Sequence, residues 1–356
     1  MGRIASGLLA IGALVAATVP AIASASGSNS WTPTASMSTE RDHVLATALT
    51  DGRVLVVSSN TTAEIYDPAT SSWSPAGQLS QPRTLGIAVR LADGRVLVAG
   101  GGQYSTTAEL YNPATNSWTP TGSMRFGRVS FTGTLLPNGQ VLVAGGLSLS
   151  GLQSSAELFN PVTGRWTLTG SLPMPLQEHT ATLLPDGTVL VAGGLGSGYT
   201  RNAELYDPST GRWRSTRAMS TARAGALATL LSNGTVLIAG GDNPSGLQSA
   251  EIYNPTTRTW RATGSMTSYH VRGVSVRLQD GRVLAVGGNS QVGDVYSPAT
   301  GTWTATGTLT NINLLDAGAA LLPNGQVLYA GGDQTICPGS DYCYQQDYAN
   351  AELYTP

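Results

Sequence analysis

Lysine is missing from this 356-residue chain, and only three histidines, three phenylalanines and two cysteines occur in it. Charged residues are 11% of the total, and the 19 basic ones are therefore all arginine against 21 acids, a net charge of −2. That balance excludes non-specific nucleic-acid binding, which needs a basic face to displace counterions from phosphate. A hydrophobic fraction of 41% likewise excludes a disordered tail. After the first 25 residues no apolar run approaches the ~20 residues of a membrane-spanning helix. Before that point, Arg3 precedes an apolar stretch from Ile4 to Ile22 that ends in Ala23-Ser24-Ala25. This pattern predicts a signal peptide over 1–25, cleaved on export, and a secreted or extracytoplasmic single domain over 26–356 with no membrane contact.

What is abundant is glycine, 44 residues, and it recurs in register with tryptophan. Trp31, Trp73, Trp118, Trp166, Trp213, Trp260 and Trp303 are spaced by 42, 45, 48, 47, 47 and 43 residues, so one repeat position consumes all seven. The same period carries Asp51-Gly52, Asp93-Gly94, Asn138-Gly139, Asp186-Gly187, Asn233-Gly234, Asp280-Gly281 and Asn324-Gly325. Such pairs accept the positive φ of a type I′ turn, and each therefore predicts a β-hairpin. A Val-Leu run follows each turn. A glycine pair comes next in six repeats, with Ser58-Ser59 in the first, and then Ala-Glu-Leu/Ile-Tyr or a close variant leads through a Pro-x-Thr turn to the Trp strand.

Four short strands every 40 to 50 residues predict propeller blades, none of which buries its faces alone. The last repeat stops at Tyr354-Thr355-Pro356 without its Trp strand, whereas Ser30-Trp31-Thr32-Pro33 stands as an orphan Trp strand. The expected fold is an all-β seven-bladed propeller, four antiparallel strands per blade, with the N-terminal strand completing the C-terminal blade. The run hydrophobic-Gly-Gly, Glu-x-Tyr-x-Pro, Trp resembles the kelch repeat, including the kelch propeller of the galactose oxidase and glyoxal oxidase group. Kelch propellers include enzymes, mutarotases and protein-binding modules, so the resemblance implies fold more than function.

Strand alternation puts the monotonous Asp/Asn-Gly and Pro-x-Thr turns on one face and the variable loops on the other, where binding usually resides. The resemblance makes the first strand of each repeat innermost, and the small residues Ala46, Ala88, Gly133, Ala181, Ala228, Ser275 and Ala319 suit a crowded axis. Ten residues before each turn stand Arg41, Arg83, Arg128, Leu176, Arg223, His270 and Leu314. Two readings follow. Either Arg41, Arg83, Arg128, Arg223 and His270, with Tyr269, form a basic mouth for an anionic peptide or glycan, or the arginines pair with the repeated Glu64, Glu109, Glu157, Glu204, Glu251 and Glu352. A monomer binding a protein or glycan on the variable face is expected, and a structural cell-surface module without a small ligand is the bland alternative.

An enzyme is the remaining class. The related copper-radical oxidases use two Tyr, two His and a Cys cross-linked to one Tyr, and Tyr269-His270 resembles their Tyr-His segment. The rest of that set is lacking: Cys337 and Cys343 share one late loop, and His43 and His179 stand alone in their segments. No metal or other cofactor is expected, since copper lacks its ligand set and Asp333, Asp341 and Asp347 match no calcium motif. A carbohydrate-active lyase, mutarotase or degenerate oxidase would draw on Glu178, His179, His270 and Asp316, all predicted near one mouth. In an exported chain the Cys337/Cys343 pair is expected to be a disulfide that pins its loop.

Overall fold

The computed structural model describes residues 29–288, 290–310, 315–336 and 343–356. Seven four-stranded antiparallel sheets make up the architecture, and no helix occurs among the described residues. Blade 1 runs outward through Leu45–Ala48, Val54–Val57, Thr62–Asp67 and Ser72–Gln78. Blades 2 to 7 begin with the inner strands Ile87–Arg90, Thr132–Leu135, Thr180–Leu183, Leu227–Leu230, Val274–Arg277 and Gly318–Leu321. Each inner strand contacts the next, and the seventh contacts the first, so the ring is closed. The closing blade takes its outer strand from the other end of the chain: Ser30–Thr34 pairs with Ala351–Thr355, Trp31 opposite Tyr354. The expected seven-bladed fold and its closure are therefore what is observed. The expected signal peptide, 1–25, lies outside the described residues.

The second strands, such as Val54–Val57 and Val96–Ala99, are buried along their whole length. Each sheet is therefore apolar on both faces, and the core is divided into clusters between neighbouring blades, as where Leu55 and Val57 meet Val96 and Val98. The repeated Tyr and Trp lock these layers. Tyr206 stacks on Trp213 with centroids 5.0 Å apart, its hydroxyl lies 2.7 Å from Thr169 Oγ1 of the preceding blade, and Trp213 Nε1 donates to the Gly170 carbonyl there at 2.7 Å.

The hairpin turns differ from expectation. In every repeat the glycine has positive φ but the preceding Asp or Asn does not. Gly52 N–H donates to the Leu49 carbonyl and Leu49 N–H to the Arg53 carbonyl. This is a type I turn followed by a left-handed glycine, the bulged hairpin, rather than type I′. The acid or amide is kept for another reason: Asp51 Oδ1 accepts from Arg53 N–H at 3.1 Å, and all seven repeats make the same bond. Two of the variable loops add small hairpins of their own, Leu147–Ser148 with Gly151–Leu152 and Asp333–Ile336 with Tyr344–Asp347.

Candidate functional site at the axial mouth

The arginines do not line the mouth. Arg41, Arg83, Arg128 and Arg223 are each 0% exposed. The Arg128 guanidinium donates to the Gly145 carbonyl (2.8 Å), the Ser155 carbonyl (2.9 Å) and Glu157 Oε1 (2.9 Å), tying together the ends of the second and third strands. Arg41, Arg83 and Arg223 repeat the arrangement onto Glu64, Glu109 and Glu251. Each of these carboxylates also accepts a backbone N–H from the loop leading into the inner strand, as Ser220 N–H to Glu251. His270 and Asp294 take the same two places in blade 6: the imidazole, 0% exposed, has Nδ1 2.6 Å from the Gly287 carbonyl and Nε2 3.1 Å from Asp294 Oδ2. The basic mouth is thus corrected to a set of internal struts, because the guanidinium forks are consumed by carbonyls and carboxylates of their own blade. Leu176 replaces the arginine in blade 4, and Leu314 lies outside the described residues.

Two residues further along, the side chains do face the axis. His43, Leu85, Ser130, Glu178, Gly225, Arg272 and Asp316 occupy one equivalent position in the seven blades, and all seven have φ between 48° and 58°. Six non-glycine residues in the left-handed region cost on the order of 1–2 kcal/mol each, which the scaffold must impose. It does so through a necklace of backbone bonds: Ser130 N–H to the Leu85 carbonyl, Glu178 to Ser130, Gly225 to Glu178 and Arg272 to Gly225. The ring lines an axial cavity of about 280 Å3, with Phe131, His179 and Val44 behind it.

This rim is charged on one arc and uncharged, mostly apolar, on the other. Gly225 has no side chain, so Arg272 and Glu178 meet across it at 2.6 Å. Next in the ring, His43 Nε2 lies 3.4 Å from Asp316 Oδ2 while its Nδ1 lies 2.8 Å from Asp42 Oδ2. Burial by itself would lower the His43 pKa, but the Asp42 bond and the charge of Asp316 raise it above the usual range. Burial raises Asp316 above the ordinary carboxyl value against the pull of His43 and Arg272. Leu85, Ser130 and Phe131 make the other arc. His179 is buried, with Nε2 3.0 Å from Thr132 Oγ1, and desolvation together with the Arg128 charge pulls it down to about 4, so it is neutral.

Of the residues singled out from sequence, Glu178, His179 and Asp316 line the cavity and His270 does not. Tyr269 is 47% exposed, packs over Gly246 and does not border the cavity. His43 and Arg272, with Asp42 behind, were not singled out. No repeat signal marks them: the position two after the Arg/Leu/His column has no preferred residue, and the positions on either side of it vary as well. The cavity's donors, His43, Glu178, His179 and Asp316, include no Tyr or Cys, and Tyr269 and His270 diverge, so the copper-radical ligand set does not fit. Among the described residues no three His, Cys, Asp or Glu groups converge as metal ligands. Cys337 lies outside the described residues, and so does the expected pairing with Cys343.

Fold and repeat define a seven-bladed propeller carrying kelch motifs. The Kelch motif model matches residues 83–125, 179–220 and 224–267, three of the seven repeats. Among solved structures the chain is similar to a fungal alcohol oxidase of the AA5 family in complex with copper, at 18% identity and a TM-score of 0.78, covering 93% of this chain and 77% of that one. It is also similar to the structure of YjhT, at 18% identity and a TM-score of 0.60, covering 77% of this chain and 99% of that one. At these identities the likeness is one of fold. No curated protein is a significant match to the sequence.

Proposed function

We propose that this protein is an exported ligand-binding propeller whose axial mouth takes a glycan. The observation that carries this reading is the two-sided rim: hydroxyl-binding carboxylates, a guanidinium and an imidazole on one arc, Leu85 and Phe131 on the other. A sugar ring has the same division, with hydroxyls at its edge and C–H groups on its face. Binding pockets are typically concave and apolar with a few convergent polar groups. The signal peptide expected at 1–25 and the Cys337/Cys343 disulfide belong to this proposal, because both fit an extracytoplasmic setting.

A glycan array followed by titration calorimetry tests the reading. Arg272→Ala and Glu178→Gln are each expected to weaken binding by about tenfold or more with the unfolding midpoint little changed, whereas Arg90→Ala, on the inner strand's far end, leaves it intact. Failure to bind any glycan, or undiminished binding by both mouth variants, overturns it. A second reading, a carbohydrate-active enzyme, rests on the Asp42–His43–Asp316 contacts, which join an imidazole to two carboxylates at the rim. Turnover of a bound glycan that is lost in His43→Gln would favour it.

A further inference from the structure

The rim's polar arc is electrically uneven. Glu178 is neutralised by Arg272, but at the seam of blades 7 and 1 three carboxylates, Asp42, Asp316 and Asp333, surround one imidazole. Backbone pairing builds this seam: Leu315 N–H donates to the Asp333 carbonyl at 2.8 Å and Asp333 N–H to the Leu315 carbonyl at 3.0 Å, which sets Asp333 beside Asp316. Asp347, opposite Asp333 in the loop hairpin, adds further negative charge. Burial first, then the charge of Asp316, push Asp333 up to about 6.

A second observation is independent of charge counting. Asp333 is 1% exposed; its Oδ2 accepts from the Gln345 amide at 3.1 Å, but its Oδ1 has no hydrogen-bond partner. Asp42 Oδ1 is likewise buried without a partner. An unsatisfied buried acceptor calls for an explanation, and where two fall in one acidic seam a missing cationic donor supplies one. Side chains of Asp42, His43 and Asp316 remain 15–18% accessible at the rim above them. An anionic group would meet three acids here. A metal ion would need converging ligands that the described residues do not supply.

We propose that the His43 side of the mouth is a subsite for a primary ammonium group, so that the glycan bound there is an amino sugar with a free amine. The inference rests on the glycan reading above. An ammonium is a compact point charge with three rotatable donors, so it needs no fixed coordination geometry. Asp316 receives it at the rim, and Asp42 and Asp333 hold the potential negative from behind.

Titration calorimetry with three hexasaccharides of matched length tests this: glucosamine, N-acetylglucosamine and cellohexaose. The amine ligand is expected to bind about tenfold tighter than the acetylated one. In Asp316→Asn, and separately in Asp42→Asn, the ratio of the two affinities should fall towards one, and circular dichroism establishes that each variant is folded. Equal affinity of the wild type for the free amine and its acetylated counterpart overturns the subsite and leaves the glycan reading standing. A preference that survives in both folded variants overturns the assignment to this seam. Absence of binding to all three oligosaccharides counts against the glycan reading itself.

Discussion

Glu204 differs from Glu64, Glu109, Glu157 and Glu251 in what surrounds it. Its blade has Leu176 where the others have the strut arginine, and Pro173, which has no N–H, where the others offer a backbone donor. The carboxyl is 4% exposed and its Oε2 has no partner. Burial raises its pKa, opposed by a bond to Ser215. A carboxyl whose folded pKa exceeds its unfolded value binds more protons folded than unfolded. Its contribution is therefore fully present at low pH and declines as pH rises through the folded value. Glu204→Gln does not titrate, so its stability relative to the wild type is expected to climb as pH rises above the ordinary glutamate value of about 4. Urea unfolding at several pH values measures this, and a flat difference refutes it. The Glu column and the Arg column were both legible in the sequence, as was their pairing as one of two readings. What decided between a basic mouth and internal struts was side-chain direction at a single repeat position, which composition does not encode.

Among the elements, the third and outer strands carry the interblade ties. Tyr66, Tyr206, Tyr253 and Tyr296 each place a hydroxyl 2.7–2.9 Å from a threonine of the preceding blade, Thr34, Thr169, Thr216 and Thr263. Blade 3 has Phe159 at this position, stacked on Trp166 at 5.0 Å, and the equivalent threonine, Thr121, keeps only the bond to the Gly164 carbonyl at 3.3 Å, which Thr169 and Thr263 make in addition to their tyrosine contacts. Phe159→Tyr should restore the tie and raise stability by about 1 kcal/mol, the net worth of a typical hydrogen bond. Calorimetric unfolding of Phe159→Tyr alone and with Thr121→Val checks it, because the gain should vanish in the pair. The strand pattern was legible because period and turn chemistry agree in all seven repeats. The turn type was not, since Asp-Gly and Asn-Gly serve both the two-residue turn and the bulged hairpin. His43 and Arg272 were hidden for a related reason: left-handed backbone at non-glycine residues leaves no residue signature, so the rim column has no shared side chain to notice.

At the scale of the whole molecule, closure joins residues more than 300 positions apart. Trp31 is 7% exposed, stacks 5.1 Å from Tyr354 and 5.9 Å from Tyr329, and donates from Nε1 to Thr306 Oγ1 of blade 6 at 3.0 Å. Asn29 continues the tie, its side-chain oxygen accepting from Tyr354 and its carbonyl from Gly307 N–H. Truncating such a large buried aromatic costs about 3–5 kcal/mol, which approaches half the stability of a typical domain. Removing the strand altogether exposes the edge Ala351–Thr355, whose free N–H and C=O groups form a template for another chain. Trp31→Ala should therefore lower the unfolding midpoint without changing the elution volume of the parent protein. Deletion through Thr34 should instead yield species larger than the parent in size-exclusion chromatography, reversed by adding a peptide of residues 29–36 in trans. A fully stable deletion protein that elutes in the parent's assembly state would mean that closure is carried by the inner-strand ring, and that the paired termini are only an ornament on it.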